Sequence, residues 1–190
     1  NELHQLYSSL DINTNDVIEA AATKWNFMKH SPGMVGGHCI SIDPYYLMHK
    51  SEMSGYIPTV MRAARDLNDG MDNWVLSTFL KFAKKKNIDL ESTTITILGY
   101  TFKENCSDTR NTKVHDLVLS LKNLNLNIDV WDPFISPDTQ DKLEAIGVEA
   151  HIKQPRNIEL GFICVYHDQI LEFLKSFDGV IYDYKKPLII

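Results

Sequence analysis

The sequence predicts an α/β protein in which a helical central segment with a long connecting helix precedes a Rossmann-like domain with a parallel sheet. Two observations predict this order. Up to residue 86, apolar residues recur at spacings of three and four, the period of a helix that packs on one side. Beyond it, short β-branched runs alternate with helical stretches, which is typical of a parallel sheet with helices on both faces. We therefore divide the 190 residues into a helical segment at 1–86 and a sheet domain at 87–190.

The first predicted elements are a helix and a glycine-rich loop. Apolar positions within 17–22 fall at helical spacing, and Thr14 or Asn15 supplies a side-chain oxygen that can cap the first turn. Residues 29–37 contain one proline and three glycines, which predicts a loop.

Two further helices are predicted before the sheet. The pair Asp43 and Pro44 predicts a helix with the aspartate as N-cap and the proline in the first turn, ending near Gly55. From Pro58 a long helix is predicted, because the apolar stripe Val60–Phe82 continues at helical spacing. A stripe this wide predicts a shared core or a subunit interface.

The sheet domain is predicted from the change of period. Buried strands need only short apolar runs, whereas the helices between them need longer amphipathic stretches. The predicted strands cover 94–99, 128–131, 161–165 and 180–182, and the predicted helices cover 114–124, 138–146 and 170–174.

Composition narrows the class of protein. The formal net charge is −6, and this acidic balance disfavours a dedicated nucleic-acid binder, which needs a basic face for phosphates. The cysteines at 39, 106 and 164 are widely spaced and odd in number, so we expect free thiols in a reducing compartment and no metal site. No apolar run is long enough to cross a bilayer and no secretory signal is recognisable, so we expect a cytoplasmic protein without a membrane partner.

The strongest motif is the run Gly36–Pro44, in which Gly-Gly-His-Cys leads into Ile-Ser-Ile-Asp-Pro. Paired glycines let a backbone approach a ligand closely, and free amides at a helix start favour a thiolate. Asp43 follows Cys39 by four residues, close enough to act on a water beside the sulfur. A loop cysteine that only packs, with Asp43 only capping a helix, fits the same spacing, so both interpretations stay open.

A second candidate segment, Gly99–Arg110, follows a predicted strand, where open α/β sheets bind ligands. Lys103 and Arg110 supply positive charge for a phosphate, although solvated side chains fit the pattern as well. The segment lacks the glycine-rich dinucleotide fingerprint. Asp108 either orients Arg110 or caps the helix that contains Val114.

One histidine invites a catalytic interpretation. His167 follows a predicted strand, where it is either a general base or a structural side chain. A cysteine-dependent acyl transferase is disfavoured, because no motif places the histidine and asparagine partners that such an enzyme needs.

Both segments resemble the UDP-glucose/GDP-mannose dehydrogenase family. Gly-Gly-His-Cys-Ile followed by Asp-Pro-Tyr-Tyr-Leu, at 36–47, resembles the active-site segment of that family. Gly-x-x-Phe-Lys followed by Asp-x-Arg, at 99–110, resembles its carboxy-terminal nucleotide-sugar domain. The Asp-Pro pair at 132–133 and the run at 165–168 fit as well, so the resemblance covers essentially the whole chain.

The resemblance implies an NAD-dependent enzyme that oxidises the C6 alcohol of a UDP-sugar to a carboxylate in two hydride transfers. It implies that Cys39 attacks the intermediate aldehyde and carries a thiohemiacetal and then a thioester, and that Asp43 assists the thiol and the hydrolytic water. It implies that Arg110 contacts NAD. The substrate-binding residues that it implies are His30, Ser31, Pro32, Gly33, Val35, Gly36, Phe102 and Lys103.

Details of both motifs resemble one branch of the family. His38, together with the runs 102–106 and 110–114, resembles members that act on UDP-N-acetylhexosamines (GlcNAc or GalNAc) and supply precursors of surface polysaccharides such as capsule and O-antigen. UDP-glucose and UDP-ManNAc are the alternative substrates. A non-catalytic nucleotide-sugar-binding or dimerisation module is the alternative function.

The resemblance leaves part of the family outside these 190 residues. The family's amino-terminal NAD-binding domain has no counterpart here, nor do the lysine and asparagine of its central helix. We therefore expect NAD to be bound mainly by a domain outside this chain, and the chain alone to be inactive. The expected partners are a UDP-sugar and a second copy, which forms a homodimer through the long helix near Val60–Phe82.

Overall fold

The structure is a computed structural model that describes residues 1–186. Within this part of the chain, five helices precede the sheet and three lie between its strands. The helices are α1 (Glu2–Ser9), α2 (Thr14–Ala21), α3 (Asp43–Met53), α4 (Thr59–Asp69), α5 (Met71–Lys85), α6 (Lys113–Asn123), α7 (Pro137–Ala145) and α8 (Asp168–Leu174). The strands are β1 (Ile95–Leu98), β2 (Ile128–Trp131), β3 (Glu149–His151), β4 (Leu160–Ile163) and β5 (Val180–Asp183).

The five strands form one parallel sheet in the order β3-β2-β1-β4-β5. The chain winds outward from β1 through β2 to β3, and then returns to the other side of β1 with β4. The strand order therefore reverses between β1 and β4, and a crevice opens at their carboxyl ends at such a switch point. The loops that leave β1 and β4 are thus placed where a ligand can bind.

Helices cover both faces of the sheet, which confirms the predicted fold class. On one face, Val75 and Phe79 of α5 and Leu117 of α6 are fully buried in the main core, and the Phe79 ring lies 4.7 Å from that of Phe162. On the other face, Ile170 of α8 closes a smaller cluster. Helix α5 thus belongs to the core of the sheet, and the packing crosses the predicted domain boundary at residue 86.

The prediction of one long helix from Pro58 is wrong, because the chain forms two helices, α4 and α5, that meet at Gly70. Glycine is the weakest helix former after proline, so a break at this position costs little. The two halves also differ in burial. Helix α5 packs its apolar residues into the core, whereas Val60 of α4 is 81% exposed. The part of the apolar stripe on α5 therefore packs in the core, whereas the part on α4 includes residues exposed at the surface.

Three smaller predictions need correction. The N-cap of α2 is Asn13, whose side chain accepts a hydrogen bond from the Asn15 amide, and not Thr14 or Asn15. Asp43 is the first residue of α3 and Ile42 is its N-cap. Strand β3 was not predicted, because only its central residue is apolar and buried, so no apolar run marks it.

A buried histidine joins the first helix to the end of the described chain. The His4 Nε2 atom lies 2.7 Å from the Tyr184 carbonyl oxygen, and its Nδ1 atom lies 2.7 Å from the Thr14 hydroxyl. A carbonyl only accepts hydrogen bonds, so Nε2 carries the proton and Nδ1 accepts from the hydroxyl. Burial lowers the pKa of His4, and the folded chain therefore holds this imidazole neutral.

This neutral histidine makes stability depend on pH. The folded-state pKa is below the unfolded value of about 6.5, so the contribution of His4 is complete above that pH and is lost as pH falls through the folded pKa. We expect the urea midpoint of the wild type to fall more between pH 7.5 and pH 5.5 than that of His4→Gln, which keeps an N–H donor but cannot titrate. The exposed His49→Gln is the control and should follow the wild type. Equal falls in all three proteins would contradict the assignment.

Candidate active site

Cys39 lies in a turn that leads directly into α3. Its carbonyl oxygen accepts hydrogen bonds from the amides of Ile42 (2.9 Å) and Asp43 (2.8 Å), and its side chain is exposed. The contact found between Cys39 and Asp43 is thus made by their backbones, while the Asp43 residue is itself exposed. The thiol and the carboxylate are held one turn apart at an open surface.

Two glycines let this turn pack against the loop that follows β1. The Gly37 amide donates to the Asn111 carbonyl at 3.2 Å, and a Cβ atom at Gly36 would lie only 2.4 Å from the same oxygen. Gly37 has a φ of +95°, and a Cβ atom there would lie 2.9 Å from the ring of Phe102. No side chain fits at either position without displacing one of the two segments. The paired glycines of the motif therefore permit the contact between the cysteine turn and the Phe102 loop.

Helix α4 fixes the same segment from a second side. The buried Asn68 side chain donates to the Val35 carbonyl (3.0 Å) and accepts from the Val35 amide (3.2 Å). Arg65 donates to the carbonyl of Ile40 at 3.1 Å, directly after the cysteine. Loop residues on either side of Cys39 are thus anchored to one helix.

The two predicted substrate segments form the walls of one cavity of about 400 Å³. The predicted residues that line it are Ser31, Pro32, Gly33, Val35, Gly36, Phe102 and Lys103. His30 does not line it and lies instead on a separate, mainly apolar cavity beside α1 and α2. Cys39 is not among the residues that line the main cavity, but Ile40, the next residue along the chain, is.

The charge of this cavity favours an anionic ligand. Of the described residues that line it, the charged ones are Lys103, Lys185 and Glu104. The Lys103 Nζ atom lies 5.4 Å from the centre of the Phe102 ring, so an aromatic surface adjoins this positive charge. A phosphate and an attached planar or sugar group match this combination.

The segment directly after β5 contributes two residues for which the motifs gave little signal. Tyr184 lines the cavity, and its hydroxyl accepts a hydrogen bond from the Met34 amide at 3.4 Å. The Lys185 Nζ atom lies 4.4 Å over the ring of Tyr166, whose hydroxyl donates to both oxygens of Asp183. The rule that ligands gather at the carboxyl ends of parallel strands points to this segment.

Arg110 lies on a second cavity of about 550 Å³, next to the first. Thr112 lines both cavities. Asp108 accepts hydrogen bonds from the Arg110 guanidinium at 2.6 to 3.1 Å, and this contact holds the pKa of Asp108 well below its usual range. Asp108 therefore orients Arg110, and the interpretation of Asp108 as a helix cap is wrong, because the Thr112 side chain caps α6.

A buried network holds the loop that carries Phe102. The Asp132 carboxylate accepts hydrogen bonds from the amides of Tyr100 (2.6 Å) and Thr101 (2.9 Å) and from His167 Nε2 (3.0 Å). His167 Nδ1 accepts from the Asn105 amide at 2.9 Å, so both ring nitrogens are engaged and the ring is fully buried. His167 is a structural histidine, as one of the two sequence-based interpretations held.

The remaining thiols differ from Cys39 in burial. Cys164 is buried in the sheet, and this burial raises its pKa, as expected of a core cysteine. Cys106 is half-buried within electrostatic reach of Arg110.

Residues 1–186 contain neither a metal-binding cluster nor a membrane-spanning helix. No group of three or more histidine, cysteine, aspartate or glutamate side chains there is arranged to hold a metal ion. None of the helices in this part of the chain has the length and apolar character needed to span a bilayer.

Comparison with known proteins gives the same family for both halves of the chain. Residues 1–70 match the central domain of the UDP-glucose/GDP-mannose dehydrogenase family, and residues 96–190 match its UDP binding domain. The UDP-N-acetyl-D-glucosamine 6-dehydrogenase of Pseudomonas aeruginosa is 46% identical over 148 residues, which cover 78% of this chain and 35% of the relative. Protein CapL of Staphylococcus aureus is 38% identical over 184 residues, which cover 96% of this chain and 43% of the relative.

Solved structures show the same fold. A UDP-glucose dehydrogenase from the hyperthermophilic archaeon Pyrobaculum islandicum matches with a TM-score of 0.77 at 20% identity. The match covers 96% of this chain and 42% of the other. The chain therefore spans less than half the length of the relatives and the structure that it matches.

The glycine contact leads to a test of the site geometry. Gly36→Ala is expected to lower the free energy of unfolding by roughly 1–3 kcal/mol, because the new methyl group collides with the Asn111 carbonyl. Gly33→Ala is the matched control in the same loop, since its Cβ atom would lie an ordinary 3.8 Å from the Tyr184 hydroxyl. The control should stay within about 0.5 kcal/mol of the wild type in urea unfolding. Equal stability of the two variants would contradict the close approach at Gly36.

Proposed function

The chain belongs to the UDP-glucose/GDP-mannose dehydrogenase family, and we propose that it forms the cysteine-bearing and UDP-sugar-binding part of an NAD-dependent UDP-N-acetylhexosamine 6-dehydrogenase. One observation carries the proposal. The loop before Cys39 and the Phe102–Lys103 loop, far apart in sequence, line one cavity with a net positive charge.

The cavity accounts for binding of a nucleoside diphosphate sugar. Lys103 and Lys185 offer charge-assisted hydrogen bonds to the diphosphate, and the Phe102 ring offers an apolar surface beside it. Ser31, which also lines the cavity, supplies a side-chain hydroxyl group for the sugar. We place the sugar C6 at the side of the cavity where Ile40, the neighbour of Cys39, forms the wall.

In the proposed reaction, Cys39 is the nucleophile and Asp43 assists the hydrolytic water. NAD supplies the acceptor for two hydrides, first from the C6 alcohol and then from C6 of the cysteine adduct. Between these transfers, the Cys39 thiolate attacks the C6 aldehyde and forms a C–S bond, and the new alkoxide takes up a proton. Loss of the second hydride, together with the proton of that hydroxyl group, leaves a thioester on Cys39. Water, deprotonated with help from Asp43, cleaves the C–S bond and gives the carboxylate and the free thiol.

Arg110 is the residue of this chain that fits the cofactor. Its side chain is 66% exposed on the second cavity, and Asp108 holds the guanidinium in place from one side. An oriented, exposed guanidinium next to the substrate cavity suits a pyrophosphate.

Substrate choice and biological role are drawn from the relatives. The relative that is 46% identical is named for UDP-N-acetyl-D-glucosamine, and Protein CapL carries a capsule name. We infer a UDP-N-acetylhexosamine substrate, a role in making surface polysaccharide precursors, and a cytoplasmic location. The test is NAD reduction by the complete enzyme with UDP-GlcNAc, UDP-GalNAc, UDP-ManNAc and UDP-glucose. A higher kcat/KM with UDP-glucose than with all three acetamido sugars would refute the substrate assignment.

Of the surface predicted for a homodimer contact, we keep only α4 and add the segment directly before it. Helix α5 uses its apolar side chains in its own core, whereas Tyr56, Ile57 and Val60 are exposed. An exposed apolar surface of this kind is typical of an interface. A monomer at every concentration in sedimentation would contradict the contact.

Removal of the thiol separates catalysis from binding. In the complete enzyme, Cys39→Ser is expected to lower the rate of carboxylate formation by roughly a thousandfold or more and to stop at a covalent ester or at the aldehyde, because an alkoxide forms far less readily than a thiolate. Cys106→Ser is the matched control and should retain the wild-type rate within about twofold. Full four-electron oxidation by Cys39→Ser would favour the non-catalytic alternative for this segment.

Removal of the cavity lysine tests the substrate site. Lys103→Ala is expected to raise the Kd for the UDP-sugar about tenfold or more, because a charge-assisted contact to phosphate is lost. Its effect on kcat should be smaller. Lys153→Ala, an exposed lysine between β3 and β4, is the control. An unchanged Kd in Lys103→Ala would remove this residue from the site.

A further inference from the structure

The side chain of His38, which directly precedes Cys39, makes contacts that have no role in the reaction proposed above. The His38 Nδ1 atom lies 3.4 Å from the Asp108 Oδ2 atom, and its ring stands edge-on to Phe102 at 6.3 Å between centres. Asp108 and Phe102 are themselves joined, because the Phe102 amide donates to the Asp108 carbonyl at 3.1 Å. His38 is thus the side chain through which the cysteine turn meets the Phe102–Arg110 loop.

The side chains of Arg110 and His38 share the carboxylate of Asp108. Arg110 donates to both of its oxygens, and the Nη2 atom reaches the same Oδ2 atom that faces His38, at 2.6 Å. A carboxylate only accepts, so His38 contributes to this contact with Nδ1 protonated. The charged and titratable groups around His38 are Asp108 and Arg110 in the loop after β1, Cys39 beside it, and Cys106, whose thiol acts on the same guanidinium.

From this geometry, and resting on the function proposed above, we propose that His38 is a positioning residue. Its imidazole, held against Asp108, fixes the Cys39 turn on the Phe102–Arg110 loop and couples the reactivity of the thiol to the protonation of one histidine. The hydrogen bonds between Gly37 and Asn111, which join the cysteine turn to the loop after β1, are made by amide groups and do not respond to pH.

Protonation of His38 has two consequences at this site. It places a positive charge next to Cys39, which favours the thiolate. The protonated ring also competes with Arg110 for the Asp108 Oδ2 atom. This competition weakens the hold of Asp108 on the guanidinium group that we propose to contact the cofactor. The histidine therefore links the thiol to the cofactor-binding arginine through a single carboxylate.

The decisive measurement is the rate of Cys39 alkylation by iodoacetamide between pH 5.5 and pH 9, followed by peptide mass spectrometry. The wild type is expected to show, besides the inflection of the thiol itself, a second inflection that depends on His38. His38→Asn keeps an N–H donor near the Nδ1 position and should lose this inflection, with a rate within about threefold of the wild type at pH 9. His49→Ala, an exposed histidine of α3, should retain it. An inflection that persists in His38→Asn, or that is missing from the wild type, overturns the proposal.

A second measurement uses turnover of the complete enzyme. His38→Ala is expected to lower kcat about tenfold with a change in KM of less than about threefold, and His38→Asn to recover most of that loss. Wild-type kcat in His38→Ala overturns the positioning role. If the wild type oxidises no UDP-sugar, the proposed function fails, and the alkylation profile still decides the role of His38.

Discussion

The buried carboxylate of Asp132 receives hydrogen bonds from three of the loops that meet at the carboxyl edge of the sheet. It follows β2, and its donors are the amides of Tyr100 and Thr101 after β1, His167 after β4 and Phe134 in its own loop. A buried carboxylate is costly to desolvate, and four donors offset that cost only while all of these loops are in place. The position of Phe102 and Lys103 depends on this one group.

The position of Cys39 also depends on the loop after β1, because the cysteine turn packs against that loop. The loop after β1 carries Asn111, and the glycines before the cysteine pack on that residue so closely that no side chain fits between them. Asn68 and Arg65 of α4 hold the cysteine loop from the other side. The loop before the cysteine and the loop after β1 thus line one cavity, and neither segment forms that cavity alone.

Much of the fold could be predicted from the sequence, because buried parallel strands and amphipathic helices leave periodic traces. Strand β3 left none, since a short edge strand with polar ends has no apolar run. The break at Gly70 was hidden by an apolar stripe that continues across it, although the two helices bury that stripe to very different extents. Periodicity reports which residues are apolar, and it does not report whether a neighbour is present to cover them.

The residues of the site could be predicted only where a motif carried them. The glycines, Cys39, Phe102 and Lys103 stand in two recognisable runs, whereas Tyr184 and Lys185 enter the cavity through sheet topology. His30 belongs to the predicted run and still lines only the other cavity, whereas the next two residues, Ser31 and Pro32, line both. The pairing of His38 with Asp108 joins two motifs across 70 residues of sequence, and no spacing rule connects them.

The central claim is that Cys39 and the UDP-sugar cavity form one site. The most direct test is the rate at which iodoacetamide alkylates Cys39 in the complete enzyme, with and without saturating UDP-GlcNAc, with binding confirmed by calorimetry. We predict that the bound nucleotide sugar slows alkylation of Cys39 about tenfold or more, that free GlcNAc at the same concentration does not, and that alkylation of Cys106 changes far less. Alkylation of Cys39 at an unchanged rate while UDP-GlcNAc is bound would contradict the claim.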